Sequence, residues 1–400
     1  MERVGMGGAV ILGGARTSFG RFGGELAGYA SWELAGMVIR TCLDDLGIAG
    51  GAVGEVILGD AVLASGALVP ARRAVFEAGL PQETDSFTVD RACCSGMTAI
   101  GLAAQKITAG EHDVVVAGGA QAMSQTPWLL RAPRTAGRPR AGNLEAEDIL
   151  LMRSPLSDAP IAKYVGEVAI SYGVDRAAQD QWAAQSHRRY FAAHDAGLFD
   201  DEMRVRPEGR NGPLEVDEQA RRDTDAEKLG GLKTVYRSPT VTAGNAPGLN
   251  DGAAVVVLAS EAYAKSHGLT PLGRVVGHTG MSGAPDSSAY LPAHALQRLL
   301  DVAGYKVKDI AVLEINEAFA ATALVSLKVL TEGDHDLRRD VGERLNPNGG
   351  AVAIGHPTGA SGARITLTAA LEARRRGGGL AAASVCGGFG QADAILIDVA

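Results

Sequence analysis

The chain has 400 residues, 46% apolar, 21% charged and 5% aromatic, a balance that excludes an unfolded chain and supplies more than one hydrophobic core. A formal net charge of −8 gives no overall attraction to polyanions, so no nucleic acid is expected as a partner. Fifty-three glycines without a three-residue period exclude a collagen-like rod and announce many tight turns.

An apolar run at 9–12 predicts a first strand, and SWELAGMVIRTCLDDLG predicts a helix from an N-cap at Ser31 to a stop at Gly47. Cys42 falls on the apolar spacing of that helix and reads as packing. Residues 55–58 predict a short strand. After 87–89 the chain turns through Cys93, Cys94, Ser95 and Gly96 into a small-residue helix at 97–109, and a strand at 114–116 closes on Gly118-Gly119. From 123 to 240 the sequence becomes rich in Arg, Asp, Glu and Gln, which predicts an inserted loop region over the active face. Within it Arg131, Arg134, Arg138 and Arg140 read as a solvated basic loop, with a phosphate contact as the alternative.

Near the C-terminus the first unit returns. Residues 358–374 predict a small-residue helix, and 380–385 a strand that closes on Gly387-Gly388. This repetition predicts a duplicated α/β fold. The unalternating β-branched runs at 255–257 and 395–397 predict sheets covered on both faces, hence five layers, α/β/α/β/α. The expected organisation is a first half at 1–122 completed by 241–275, the inserted region at 123–240, and a second half at 276–400. No run approaches about 20 uninterrupted apolar residues, and residues 1–8 carry no hydrophobic signal core, so no membrane partner and a cytoplasmic location are expected.

Four cysteines, at 42, 93, 94 and 386, form neither a disulfide framework nor a zinc-type spacing, and no metal is expected. Cys93 and Cys94 precede a helix, whose N-terminal dipole favours a thiolate. Asn316-Glu317 follows an apolar run at 311–315, His356 sits in NPNGGAVAIGHPTGASGAR, and Cys386 lies between a strand and paired glycines. Taken together, these turns supply a nucleophile, a base, a second thiol and an amide.

VDRACCSGMTA, GGAQAMS, GVDRAAQDQWAAQSH, TVTAGNAPGLNDGAA, EINEAFA, NPNGGAVAIGHPTGASGAR and VCGGFGQADA make the sequence resemble a thiolase, an acyl-CoA C-acyltransferase, nearly from end to end. The resemblance implies Cys93 as acylated nucleophile, His356 as its base and Cys386 as the acid/base that moves the substrate proton. It also implies one oxyanion site formed by His356 with a water held by Asn316, and a second formed by the backbone N–H groups of Cys93 and Gly388. Coenzyme A is then substrate or product, with no further cofactor. Its pantetheine would meet the turn at Ala243 and Gly244, and its adenine end Arg221.

Acyl-CoA and coenzyme A are the implied ligands, a homodimer or homotetramer the implied assembly with its association loop beginning at the arginine-bearing stretch 131–140, and fatty acid metabolism the implied setting. Four positions depart from the family pattern. Asp90 replaces a common Asn. Pro247 stands where a Ser is usual and brings neither hydroxyl nor N–H. Pro160-Ile161-Ala162 replaces His-Met-Gly, and Tyr290 enters a turn beside the acyl pocket. A small residue is usual at Cys94, which is expected to pack. Two alternatives remain at this level: a decarboxylating ketosynthase-like condensing enzyme, and a non-catalytic CoA- or lipid-binding protein.

Overall fold

A computed structural model describes residues 8–61, 68–131, 145–154 and 158–400. Most of the N-terminal segment 1–8 and the basic stretch at 134–140 lie outside these. Nine strands form one continuous sheet: β1 (Ala9–Arg16), β2 (Glu55–Gly59), β3 (Asp85–Val89), β4 (Val114–Ala122), β5 (Asn250–Ser260), β6 (Gly273–Ser282), β7 (Ile310–Ile315), β8 (Gly379–Gly387) and β9 (Gln391–Val399). Their order is β7-β8-β9-β6-β1-β5-β4-β2-β3, with the two-residue strand Gly20–Arg21 on the end of β5.

The order contains the duplication. β1-β5-β4-β2 and β6-β9-β8-β7 run through the same sequence of pairings, antiparallel, antiparallel, then parallel. The halves meet edge to edge through only Val10↔Arg274 and Ile11↔Gly273. Helix α1 (Ser31–Leu46) and α2 (Pro70–Glu77) cover the outer face of the first half, and α6 (Leu291–Ala303) and α7 (Ala320–Leu330) that of the second. Between the two half-sheets lie α3 (Ser95–Thr108) and α9 (Thr358–Arg375). Every residue of α9 from Thr358 to Ala373 is buried, as a helix enclosed on all sides must be. These are the five layers expected.

Small residues make that middle layer possible. A Cβ added to Gly96 on α3 would lie 2.5 Å from the Gly359 carbonyl on α9, and one on Gly119 of β4 would also collide with that carbonyl. The backbones therefore touch where α3, α9 and β4 cross, a closeness that only glycine allows.

Two local expectations are corrected. Ala30, not Ser31, is the N-cap of α1, and the Glu33 carboxylate accepts the Ala30 N–H at 2.7 Å. Ser31 is the first helical residue, and its hydroxyl donates to Asp60 at 2.8 Å, fastening the helix to the end of β2. Gly47 closes the helix in the left-handed region, as expected. The segment 123–240 is not loop alone: α4 (Ile161–Ser171) and α5 (Arg176–Asp195) lie in it, the latter capped by Asp175 on the Ala178 N–H at 2.8 Å. It also holds a short helix at Ala226–Gly230 and antiparallel pairs at Leu129–Arg131 with Glu145–Glu147 and at Glu208–Gly209 with Gly212–Pro213. Among the described residues no helix is long and apolar enough to cross a membrane.

Candidate active site

Four turns converge above α3 and α9, three at strand ends and the His356 turn, expected to end a strand, between two helices instead. The first follows β3. Asp90 accepts the Ala92 N–H at 3.0 Å, and Ala92 takes a left-handed φ of 51°, which non-glycine residues adopt only when the surroundings hold them there. That bend places Cys93 just ahead of Cys94, the N-cap of α3. A carboxylate at Asp90 supplies the same acceptor that an Asn would, and the turn survives the departure. Asp90 is exposed, and partial loss of hydration raises its pKa above the usual carboxylate value.

His356 comes from the turn that opens α9. Its backbone N–H donates to Asn250 Oδ1 at 2.8 Å, and Asn250 Nδ2 donates to the Gly20 carbonyl at 3.0 Å. Its Nε2 stands 3.3 Å from Cys93 Sγ and its Nδ1 2.6 Å from Ser361 Oγ. The Ser361 hydroxyl donates to the Pro357 carbonyl at 3.1 Å. With its one proton so engaged, Ser361 accepts from Nδ1–H, which leaves the Nε2 lone pair facing the sulfur.

Asn316, at the end of β7, donates its backbone N–H to Ser384 on β8 at 2.9 Å. Its Nδ2 is 3.4 and 3.5 Å from the two ring nitrogens of His356. Equal distances to both place the amide over the ring face, not in its plane. Its Oδ1 has no protein partner. Glu317 beside it is buried and accepts four hydrogen bonds, from Trp182 Nε1 and Ser186 Oγ at 2.8 Å, Asn346 Nδ2 at 3.0 Å and the Val352 N–H at 3.1 Å. These join α5, the β7 turn and the helix Ala351–Ile354 (α8).

Cys386 ends β8, and the turn Gly387-Gly388-Phe389-Gly390 leads into β9. Cys386 is buried, and its pKa is raised by burial and by the nearby Cys93 sulfur. Burial likewise pushes the Cys93 thiol up to about 12, against two groups that favour the thiolate, the backbone N–H of Gly388 and that of Cys93 itself. Burial also takes His356 down to about 3, with the Arg364 charge adding to the effect. Loss of hydration thus favours the neutral thiol and the neutral imidazole, against the helix dipole that favours a thiolate.

The other residues singled out divide into two groups. Cys94 is packed, its Sγ 3.6 Å from the Val385 carbonyl, and Cys42 is buried in the core beneath α1. Ala243 and Gly244 lie in a turn closed by Asn245 Oδ1 on the Thr242 N–H at 2.8 Å, and the Asn245 carbonyl accepts the Ala320 N–H at 2.9 Å. This ties the turn to the start of α7, just beyond Asn316. Pro247 is half-buried beside it, and Arg221 is exposed, its backbone N–H donating to His187 Nδ1 at 3.2 Å. Ile161 and Tyr290, two of the departures, share one apolar cluster with Phe319 and Ala246, and Ile161 reaches Gly388 closely enough to meet a Cβ placed there at 3.3 Å. Among the described residues no group of three His, Cys, Asp or Glu side chains is arranged to hold a metal ion.

Sequence reasoning missed Ser361 and Asn250 as partners of His356. Both lie inside motifs that were recognised, but only the fold reveals what they touch.

The chain matches two family models, the thiolase N-terminal domain over residues 9–262 and the thiolase C-terminal domain over 269–399. It is 39% identical to a probable acetyl-CoA acetyltransferase of Mycolicibacterium smegmatis, over 97% of this chain and 100% of that one. It is 40% identical to an acetyl-CoA acetyltransferase of Chromobacterium violaceum, over 96% of this chain and 98% of that one. Human mitochondrial 3-ketoacyl-CoA thiolase, solved in complex with CoA, superimposes with a TM-score of 0.92 at 36% identity, covering 99% of this chain and 98% of that one. The layered duplicated fold, both domain matches and full-length relatives of this identity lead to one conclusion: the chain belongs to the thiolase family.

Proposed function

We propose that the protein is an acyl-CoA C-acyltransferase that makes or cleaves a β-ketoacyl-CoA through an acyl group carried on Cys93. The observation that carries this reading is the Cys93 Sγ to His356 Nε2 approach of 3.3 Å, beside two backbone N–H groups that favour negative charge at the sulfur. In the cleavage direction Nε2 takes the Cys93 proton as Sγ attacks the 3-keto carbon. A Cys93 C–S bond forms and the oxyanion rests on the N–H groups of Cys93 and Gly388. Collapse breaks the C2–C3 bond, and the departing carbon takes its proton from Cys386, while His356, through a water held by Asn316, stabilises the thioester enolate. Coenzyme A then gives its thiol proton to the Cys386 thiolate as its sulfur attacks the acyl-Cys93 carbonyl, and the departing Cys93 thiolate takes its proton back from His356.

A soft sulfur suits both attack and departure, and a second thiol suits proton transfer at the carbon next to a thioester. The turn at Ala243 and Gly244, with Pro247, receives the pantetheine, and Arg221 the adenine end. Acyl-CoA and coenzyme A are thus the ligands, with no additional cofactor. We extend the proposal to a homodimer or homotetramer, a cytoplasmic location and a role in fatty acid metabolism.

The test is mass spectrometry of the intact protein after mixing with acetyl-CoA and with acetoacetyl-CoA. A mass gain of one acyl group, absent in Cys93→Ala with an unchanged circular dichroism spectrum, is the expected result. Acyl transfer retained by Cys93→Ala overturns the assignment.

A further inference from the structure

The nucleophile's turn and the Gly388 turn belong to different halves of the duplicated fold, so something must fix their separation. The main-sheet seam between the halves is only two residue pairs and lies far along the sequence from both turns. Arg91, two residues before Cys93, supplies a direct link. Its guanidinium pairs with Asp393 on β9, donates from Nη1 to Thr98 Oγ1 at 3.0 Å, and donates from Nε to Gln391 Oε1 at 3.3 Å. Gln391, the first residue of β9, donates in turn from Nε2 to the Gly388 carbonyl at 3.3 Å.

Asp393 is fully buried and receives Thr98 Oγ1 at 2.6 Å and His278 Nε2 at 3.0 Å as well. It is the fixed post from which Arg91 reaches out. On the other side the Arg91 N–H donates to Ser95 Oγ at 2.8 Å and the Arg91 carbonyl accepts the Cys94 N–H at 3.2 Å, so Arg91 is held to both sides of Cys93. The Gly388 turn needs such a hold. Phe389 takes a left-handed φ of 67° and Gly390 one of 71°, and a non-glycine residue in that region keeps it only under restraint.

We propose that Arg91 and Gln391 are positioning residues that set the Gly388 N–H against the Cys93 sulfur, and so tune the stabilisation of the oxyanion formed there. The proposal rests on the acyl-transfer reading above. A donor displaced by even about 1 Å from a developing oxyanion can cost up to 100-fold in rate. The relay passes through one side chain, so it can be cut without touching the buried Arg91–Asp393 pair.

The experiment compares two reactions of the same sulfur in the full-length protein and in Gln391→Met, which has similar volume but neither donor nor acceptor for the relay. Alkylation of Cys93 by iodoacetamide forms no oxyanion, whereas acylation by acetyl-CoA does. The expected result is an acylation rate lowered roughly 10-fold or more, a clearly larger loss than that in the alkylation rate, which depends on the Gly388 N–H only through the thiolate, with KM for acetyl-CoA within about twofold of wild type. Gln391→Glu, which keeps the acceptor for Arg91 but removes the donor to the Gly388 carbonyl, should fall as far as Gln391→Met. Equal slowing of both reactions, slowing of neither, or a Gln391→Glu variant at wild-type rate overturns the proposal. Failure of the acyl-transfer reading would look different, since the wild-type protein itself would then take up no acyl group.

Discussion

Replacing Ser361 by alanine removes the partner of His356 Nδ1 and leaves the imidazole backbone fixed by Asn250. In the resting state the lost bond joins two neutral groups and is worth about 0.5–1.5 kcal/mol, but once Cys93 has passed its proton to Nε2 the ring is cationic, and a hydrogen bond to a charged group is worth about 1.5–3 kcal/mol. Ser361 and His356 are both buried, so water does not readily replace the hydroxyl. The difference falls on the acylation step, where about 1.36 kcal/mol is a factor of ten. Rapid-quench measurement of Cys93 acylation by acetyl-CoA should therefore find Ser361→Ala slower by roughly 5- to 15-fold. Global stability should fall by about 1–3 kcal/mol in a urea titration, since the buried Nδ1–H and the Pro357 carbonyl both lose the hydroxyl. Ser361→Thr, which keeps the hydroxyl, should recover most of the rate. An alanine variant that acylates within about twofold of wild type would show that the Nδ1 contact does not set the protonation of the base, and the argument from the 2.6 Å contact would be wrong.

A neutral thiol beside a neutral imidazole predicts a particular alkylation profile. With Cys93 pushed up to about 12, iodoacetamide labelling should climb roughly tenfold per pH unit from about pH 7 to 9, and a plateau below about pH 8 would reveal a preformed thiolate–imidazolium pair instead. Acid stability carries a second signature. His356 and His187 are held near 3 and 4 by burial, below the unfolded value of about 6.5, so between 6.5 and 4 the unfolded chain binds more protons at both sites. Their contribution is fully present above pH 6.5 and is lost as pH falls, at up to about 1.36 kcal/mol per unit for each histidine. Urea midpoints at pH 7 and 5 should drop less for His187→Asn than for wild type, and an identical drop would exclude His187 from the linkage.

Much of the site was legible because its residues sit at turns where elements end. Cys93, Asn316 and Cys386 lie at or near strand ends and His356 between two helices, and those turns could be read from spacing and from the thiolase-like motifs. What could not be read were partners distant along the chain. Asn250 holds a histidine 106 positions away, and Ser31, read as a cap from its local setting, bonds instead to Asp60 just past the end of β2. The burial that opposes a Cys93 thiolate was hidden for the same reason: a helix terminus is visible in sequence, whereas the depth at which a fold sets a sulfur is not. The helices between 123 and 240 were hidden by their polar outer faces, with Ala183, Ala184 and Ala193 marking the buried side of α5. The duplication was legible from Ser95-Gly96 against Ser361-Gly362 and Gly118-Gly119 against Gly387-Gly388, whereas the order of the strands was not.

The contact of bare backbones at Gly96, Gly119 and Gly359 has a further consequence. Side chains can swing aside to admit an extra methyl, but main chains cannot, so a single alanine at this crossing would wedge two helices and a strand apart as rigid bodies. Because one helix carries the nucleophile at its head and the other carries the base, such a wedge would open the gap between sulfur and ring directly. The glycine crossing thus works like the pivot of a pair of tongs, and a defect there should appear in turnover while most of the hydrophobic interior stays intact.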